Sequence, residues 1–303
     1  MDRSLVIGSR GSKLALWQAE QARERLLLLD TQLDVRVEII KTTGDVKSDP
    51  LSVIGGKGVF TKELEDALLD GRIDLAVHSL KDLPTILPEG LSISAICERE
   101  DPRDALIVRS DLKASSLLEL HEGAVVGTSS PRRLAQLRAL RRDVVVKDLR
   151  GNVDTRIRKL DEGQYDAVIL ASAGLVRLGL QDRISARIAV TEMLPAVGQG
   201  AIAIEIRNDN AFAVEITTRL DHRATRLACL AERAFLRGLG GGCQFPIAGH
   251  ATIEDNLMTL DGLVANPDGS QILRDSLTEA PENAEDLGAT LATRLIDRGA
   301  TLL

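Results

Sequence analysis

Apolar and polar positions follow one another along this chain in two alternating rhythms. Short runs rich in β-branched and aliphatic residues, at 5–7, 35–41, 75–77, 124–126, 144–146 and 167–170, read as strands. Between them, the stretches 13–29, 62–69, 132–140 and 152–160 carry apolar residues at helical spacing. Ala167-Val168-Ile169-Leu170 has no polar residue at all, which predicts a parallel strand buried on both faces. Strand and helix in turn predict the α/β class. After residue 200 the pattern changes. A strand at 201–205 and a helix at 222–236 lead to alternation around turns at 254–256 and 266–269, then a helix at 284–298, which together read as a small α+β domain. No internal repeat is visible.

The loops between these elements carry turn and cap residues: Gly8-Ser9-Arg10-Gly11-Ser12, Gly55-Gly56-Lys57-Gly58, Gly127-Thr128-Ser129-Ser130-Pro131 and Arg150-Gly151-Asn152. In α/β folds ligands bind at the carboxyl ends of strands, facing helix amino termini, and these loops fall there. Shifts in composition divide the chain into residues 1–98 with 198–217, residues 99–197, and residues 218–303. The first break falls at the charged, proline-containing 98–103 and the second at Leu194-Pro195-Ala196-Val197-Gly198-Gln199-Gly200.

Charge changes the picture. The 303 residues hold 38 Lys plus Arg and 45 Asp plus Glu, a net charge of −7, which argues against a general nucleic-acid binder. Yet 29 of the basic residues are Arg and only 9 are Lys, a bias toward forked, planar donors. Residues 99–187 hold 17 basic and 13 acidic residues, so an acidic protein has a basic middle. One Trp, one Tyr and four Phe leave little for stacking on single-stranded nucleic acid. The amino terminus lacks the pattern of a secretory signal, and no apolar run approaches the ~18 residues of a membrane helix. Three widely spaced cysteines, Cys97, Cys229 and Cys243, provide neither a disulfide framework nor a paired metal motif. The four His lack paired spacing, so no metal is expected. A cytoplasmic protein with reduced thiols is the expectation.

Arginines give the strongest chemical signal. Arg10, Arg132, Arg133, Arg150, Arg156 and Arg177 all fall at strand ends or helix starts, where an anion would meet backbone N–H groups and a guanidinium fork. The Gly55 to Gly58 loop lacks the Ser or Thr of a phosphate loop, and Cys243 replaces the last glycine of a dinucleotide fingerprint at 238–243. Carboxylates are therefore the better ligand. Lys81-Asp82 follows a buried-looking strand and precedes Leu83-Pro84, placing an acid suited to moving a proton or facing positive charge, with a local salt bridge or cap as the competing reading. His78 reads as packed or hydrogen-bonded. Cys243, behind three glycines, reads as a reachable thiol, whereas Cys97 and Cys229 lie in buried patterns.

These residues resemble a known family. GSRGSKLALWQ at 8–18, GGKGVF at 55–60, AVHSLKDLP at 76–84, CEREDPRD at 97–104, GTSSPRR at 127–133, LRGN at 149–152, LPAVGQG at 194–200 and GGCQFP at 241–246 resemble, in order and spacing, the porphobilinogen deaminases, or hydroxymethylbilane synthases. The resemblance implies two periplasmic-binding-protein-like α/β domains with the active site in the cleft between them, plus a small α+β C-terminal domain. It implies a transferase that joins four porphobilinogen molecules head to tail, releasing ammonia each time, into the linear tetrapyrrole of haem and chlorophyll synthesis. A carboxylate-binding protein of the periplasmic-binding type, without catalysis, is the alternative, and it leaves Cys243 unexplained.

By the same resemblance a dipyrromethane cofactor is thioether-linked to Cys243. Its carboxylates fall to Lys81, Ser12, Ser129, Arg132, Arg133, Arg150 and Arg156, while Arg10, Arg177, Phe60 and Gln199 serve the substrate. Asp82 corresponds to the catalytic acid, residues 45–60 to a flap, and a monomer is expected. Three positions depart from the family pattern. Pro131 follows Thr-Ser-Ser and suits a first helical turn, Val53 removes a flap cation, and Phe245 is bulky beside Cys243.

Overall fold

Strand β1 (Ser4–Ser9) buries Leu5 and Ile7 on one face, and the helix that follows, α1 (Lys13–Leu29), covers them. Ala15, Gln18, Ala19, Ala22 and Leu26 recur every three or four residues along the buried stripe of α1, and the small alanines let it lie close to the sheet. Burying a side chain such as Leu26 contributes about 1.5–3 kcal/mol. A computed structural model describes residues 4–43, 61–242 and 245–300.

Two compact units emerge, Met1–Arg99 with Ala201–Arg226, and Glu100–Gly200 with Leu227–Leu303. The first holds β1, β2 (Asp34–Ile39), α2 (Lys62–Leu69), β3 (Leu75–Ser79), β4 (Leu91–Ile96), β10 (Ile202–Arg207) and α6 (Ala211–Thr217). Its sheet runs β2-β1-β3-β10-β4, with β1, β2 and β3 parallel and β10 antiparallel to both neighbours. One face packs on α1 and α6. The other, with Val6, Ile73 and Ala76, packs on Leu64, Ala67 and Leu68 of α2.

The second unit repeats this plan with β5 (Asp104–Val108), β6 (Val125–Gly127), α3 (Pro131–Leu140), β7 (Val145–Lys147), α4 (Val153–Asp161), β8 (Ala167–Ala171), α5 (Ser172–Arg177) and β9 (Ala186–Arg187). The order is β7-β6-β8-β5-β9, with β6, β7 and β8 parallel and β5 antiparallel to β8 and β9. Every residue of β8 but the last is buried, as its unbroken apolar run predicts.

Helix α7 (Arg223–Gly238) then leads to an antiparallel sheet of β11 (Ile247–Glu254), β12 (Leu257–Ala265) and β13 (Ile272–Glu279), backed by α8 (Ala284–Asp297). Asp255 and Asn256, at φ 49° and 61°, make the two-residue turn between β11 and β12, the backbone that such a hairpin requires. Phe235, Leu260, Leu287 and Leu291 fill the core of this part, and Phe245 packs half-buried against it. Ala248 and Leu263 also meet Ala135 of α3.

Most predicted elements appear within a residue or two of their expected ends. The patterning gave no bounds for β4, β5, α5, β9 or α6. Strand β5 starts directly after the charged segment 98–103, which masks its apolar run. Val53, Phe60 and the flap read at 45–60, like Cys243, lie outside the described residues.

Candidate active site

In the first unit β1 and β3 are adjacent and parallel, so the loops after them leave the same edge of the sheet. Arg10, half-buried, follows β1. Ser12 caps α1, its Oγ accepting from the Ala15 N–H at 3.3 Å. After β3, a single 3-10 turn, Leu80–Asp82, half-buries Lys81 and leaves Asp82 exposed. Gln18 of α1 donates from Nε2 to Ser79 Oγ at 2.9 Å, tying the helix to the strand that delivers this turn. Structure thus places Arg10, Ser12, Lys81 and Asp82 at the carboxyl ends of two neighbouring strands.

Two carboxylates organise the second unit. Asp104 opens β5 and is fully buried. Arg132 holds it through Nη1 at 2.7 Å and Nη2 at 3.2 Å, Arg133 through Nη2 at 2.7 Å and Nε at 3.1 Å, and Gln199 through Nε2 at 2.9 Å. The arginines are only 4% and 5% exposed, so this is a buried cluster with one acid and two cations. Burial alone raises the Asp104 carboxyl, but the charges and hydrogen bonds of Arg132 and Arg133 outweigh it and hold the group far below the ordinary carboxylate range. Burial pulls the Arg132 guanidinium down against the pull of Asp104. Arg132 also donates to Leu194 O at 2.7 Å and Arg133 to Ile169 O at 3.0 Å, whereas Arg132 Nε is buried with no hydrogen-bond partner.

The second carboxylate is Asp148, after β7. Arg150 Nε binds it at 2.6 Å, and Arg150, Ser129 and Arg156 together hold its carboxyl below the usual range against a desolvation that works the other way. Ser129 Oγ donates to Leu149 O at 2.8 Å and accepts from Leu149 N at 2.9 Å, stitching the loop after β6 to the loop after β7. Arg156 donates from Nε to Gly151 O at 2.7 Å. Ser130 caps α3 with Pro131 at its first turn. Arg177, nearly buried, donates to Gly200 O at 2.6 Å, and Gln199 also reaches Pro102 O at 2.7 Å.

The residues read from the sequence therefore fall into three groups within their units: Arg10, Ser12, Lys81 and Asp82; Arg132, Arg133 and Gln199 on Asp104; Ser129, Arg150 and Arg156 around Asp148. Arg177 stands apart on the Gly200 carbonyl. Asp104 and Asp148 escaped sequence reasoning. Asp104 alone left a signal, an acid heading the apolar run Ala105-Leu106-Ile107-Val108.

These donors suit a polycarboxylate. Among the described residues the Asp104 cluster pairs one acid with two cations, while Arg150 and Arg156 are half-buried beside a helix start. Such features define an α/β protein whose arginines gather at strand ends and helix starts. Residues 5–215 match the family model "Porphobilinogen deaminase, dipyromethane cofactor binding domain" and residues 226–297 match "Porphobilinogen deaminase, C-terminal domain". The chain belongs to the porphobilinogen deaminase family.

Relatives named porphobilinogen deaminase match along nearly the whole length. That of Chromobacterium violaceum is 52% identical over 99% of this chain and 96% of its own, and that of Synechococcus sp. strain RCC307 is 53% identical over 98% and 94%. Among solved structures, the methionine-binding protein MetQ overlays with a TM-score of 0.45 at 15% identity, over 73% of this chain and 90% of that one. No helix among the described residues is long and apolar enough to cross a membrane.

Proposed function

We propose that the chain polymerises four porphobilinogen molecules head to tail into hydroxymethylbilane, on a dipyrromethane primer thioether-linked to Cys243. The observation that carries this reading is the pairing of family membership along both halves of the chain with a set of arginines gathered at strand ends. When bound, dipyrromethane supplies the carbon nucleophile of its terminal pyrrole. Arg132, Arg133, Arg150, Arg156, Ser129, Ser12 and Lys81 hold its acetate and propionate groups, for which forked donors are suited.

Arg10 and Arg177, with Gln199 and Phe60, receive porphobilinogen. Asp82, exposed on its turn, gives a proton to the departing amine of the substrate and faces the positive charge left on the pyrrole and its methylene. Loss of ammonia breaks a carbon–nitrogen bond of the substrate, and the new carbon–carbon bond releases a proton for which the Asp82 carboxylate is the acceptor. The reading further takes the protein as a cytoplasmic monomer that binds neither nucleic acid nor membrane. It divides the chain into 1–98 with 198–217, 99–197, and 218–303, the last resting on its own sheet and core.

Turnover in an Asp82→Ala variant tests the assignment. Loss of roughly 10²- to 10⁴-fold in kcat with the primer still attached is expected of a general acid. Full activity in that variant refutes the role.

A further inference from the structure

On the α2 side of the first unit's sheet, three ionisable side chains, Glu65, His78 and Glu205, are buried. His78 of β3 and Glu205 of β10 are diagonal neighbours across antiparallel strands, with Nε2 and Oε2 3.0 Å apart and side chains 4% and 0% exposed. Glu65, in the first turn of α2, is also buried, as is Thr61 at the helix start. Ile40, Leu64, Leu68, Ile73 and Ala76 form the apolar cluster on this side of the sheet. His78 Nε2, both Glu205 oxygens, Glu65 Oε1 and Thr61 Oγ1 all lack an aligned hydrogen bond. So many buried polar atoms short of a well-aligned hydrogen bond, in one place, are unusual in a folded protein.

Charge balance narrows what this pocket can be. With both carboxyls ionised, one imidazole cannot neutralise it, and net charge in an apolar cage is strongly disfavoured. Neutrality needs two protons among the three groups, so at least one of the two carboxyls keeps its proton. Burial is the largest influence on Glu65 and raises its carboxyl above the ordinary value; Glu205 and Asp66 act the same way, and the Thr61 hydroxyl and His78 oppose them.

We propose that Glu65, His78 and Glu205 form a proton-sharing triad that locks β3 to α2 and β10, and that they act as positioning residues for the Lys81-Asp82 turn. The strand that carries His78 ends one residue later, at Ser79, and the turn with Asp82 follows at once. Displacing the triad displaces that turn. The positioning part rests on the reading of Asp82 as the acid, whereas the proton sharing does not.

Infrared spectra of the full chain at neutral pH test the sharing directly. The wild type is expected to show the carbonyl band of a buried protonated carboxylic acid, absent in Glu65→Gln. If that variant does not fold, the wild type labelled with carboxyl-¹³C glutamate carries the same test, since the band must shift with the label. No such band, or a band untouched by both, overturns the triad even in a protein with no turnover.

The pH profile of kcat tests the positioning. Glu65→Gln, which imitates the protonated carboxyl, should keep kcat at neutral pH and lose the decline in kcat with rising pH that the triad predicts for the wild type. His78→Leu should lower kcat roughly 10- to 100-fold, as a misplaced acid does, with KM and primer attachment little changed. Superimposable profiles for wild type and Glu65→Gln, or unaltered kcat in His78→Leu, overturn the positioning role. A wild type without turnover overturns the enzyme reading instead and leaves the infrared result to decide the triad.

Discussion

The two five-stranded sheets are one backbone plan with buried acids planted at different depths. Ladder register aligns them residue by residue: Ser79 pairs with Ile202 in one as Ala171 pairs with Asp104 in the other. The same register sets Glu205, opposite Ala76, against Ile107, opposite Val168. Each sheet has an isoleucine where the other buries an acid. Asp104 stands at the strand end, where Arg132 and Arg133 reach it and an anion site forms. Glu205 stands further inside, facing a histidine and a second acid. One architecture thus yields a basic unit and a unit presenting an acid, and the depth at which the carboxylate is planted separates them.

The largest effects should come from breaking that difference. Asp104→Ala leaves two guanidinium groups buried against each other and should cost about 3–5 kcal/mol in urea unfolding. Ile202→Asp plants a carboxylate at the matching place in the other sheet, and destabilisation at least as large is expected. A mild effect there would mean that the register equivalence does not carry the electrostatics.

Acid and alkali should separate the two units next. Asp104 is held below its ordinary value of 3.8, so its contribution is present above that value and is lost as pH falls through the lowered one. Glu65 lies above its ordinary 4.5, so the folded state keeps a proton that the unfolded chain has released, and stability falls as pH rises from 4.5 toward the raised value. Unfolding measured across pH should show the acid-side slope removed by Asp104→Asn and the opposite slope removed by Glu65→Gln.

Smaller effects mark a feature the sheets share. Gly8 and Gly127 occupy matching register positions, and each leaves no room for a Cβ. At Gly8 the obstacle to a Cβ is the tip of Ile73, which can turn aside; at Gly127 it is the Tyr165 ring, 2.8 Å from where the Cβ would stand and pinned by its hydroxyl to Asp148 O at 2.6 Å. Gly127→Ala should therefore cost about 1–3 kcal/mol and Gly8→Ala less, although its contact is shorter. The reverse order would show that the ring is not fixed.

What could be read from the chain alone follows from distance along it. Helix α1 was legible because its cap, its stripe and its first loop lie within 25 residues of one another. Arg132 and Arg133 were legible as anion seekers because Thr-Ser-Ser-Pro marks a helix start. Their shared acid was not, since Asp104 lies 28 and 29 residues away and Gln199 a further 95 from it. His78 was read as hydrogen-bonded or packed without its partner, because Glu205 reaches it only through the chain's return as β10. Equivalence of the sheets was equally hidden, as it resides in ladder register and leaves no repeated letters.

The intact mass of the purified chain, expressed where porphobilinogen is available, tests the account most directly. The wild type should exceed its polypeptide mass by two pyrrole units, and Cys243→Ala should not. A wild-type mass equal to the bare polypeptide would contradict the covalent primer and, with it, the enzyme that these arginines are taken to serve.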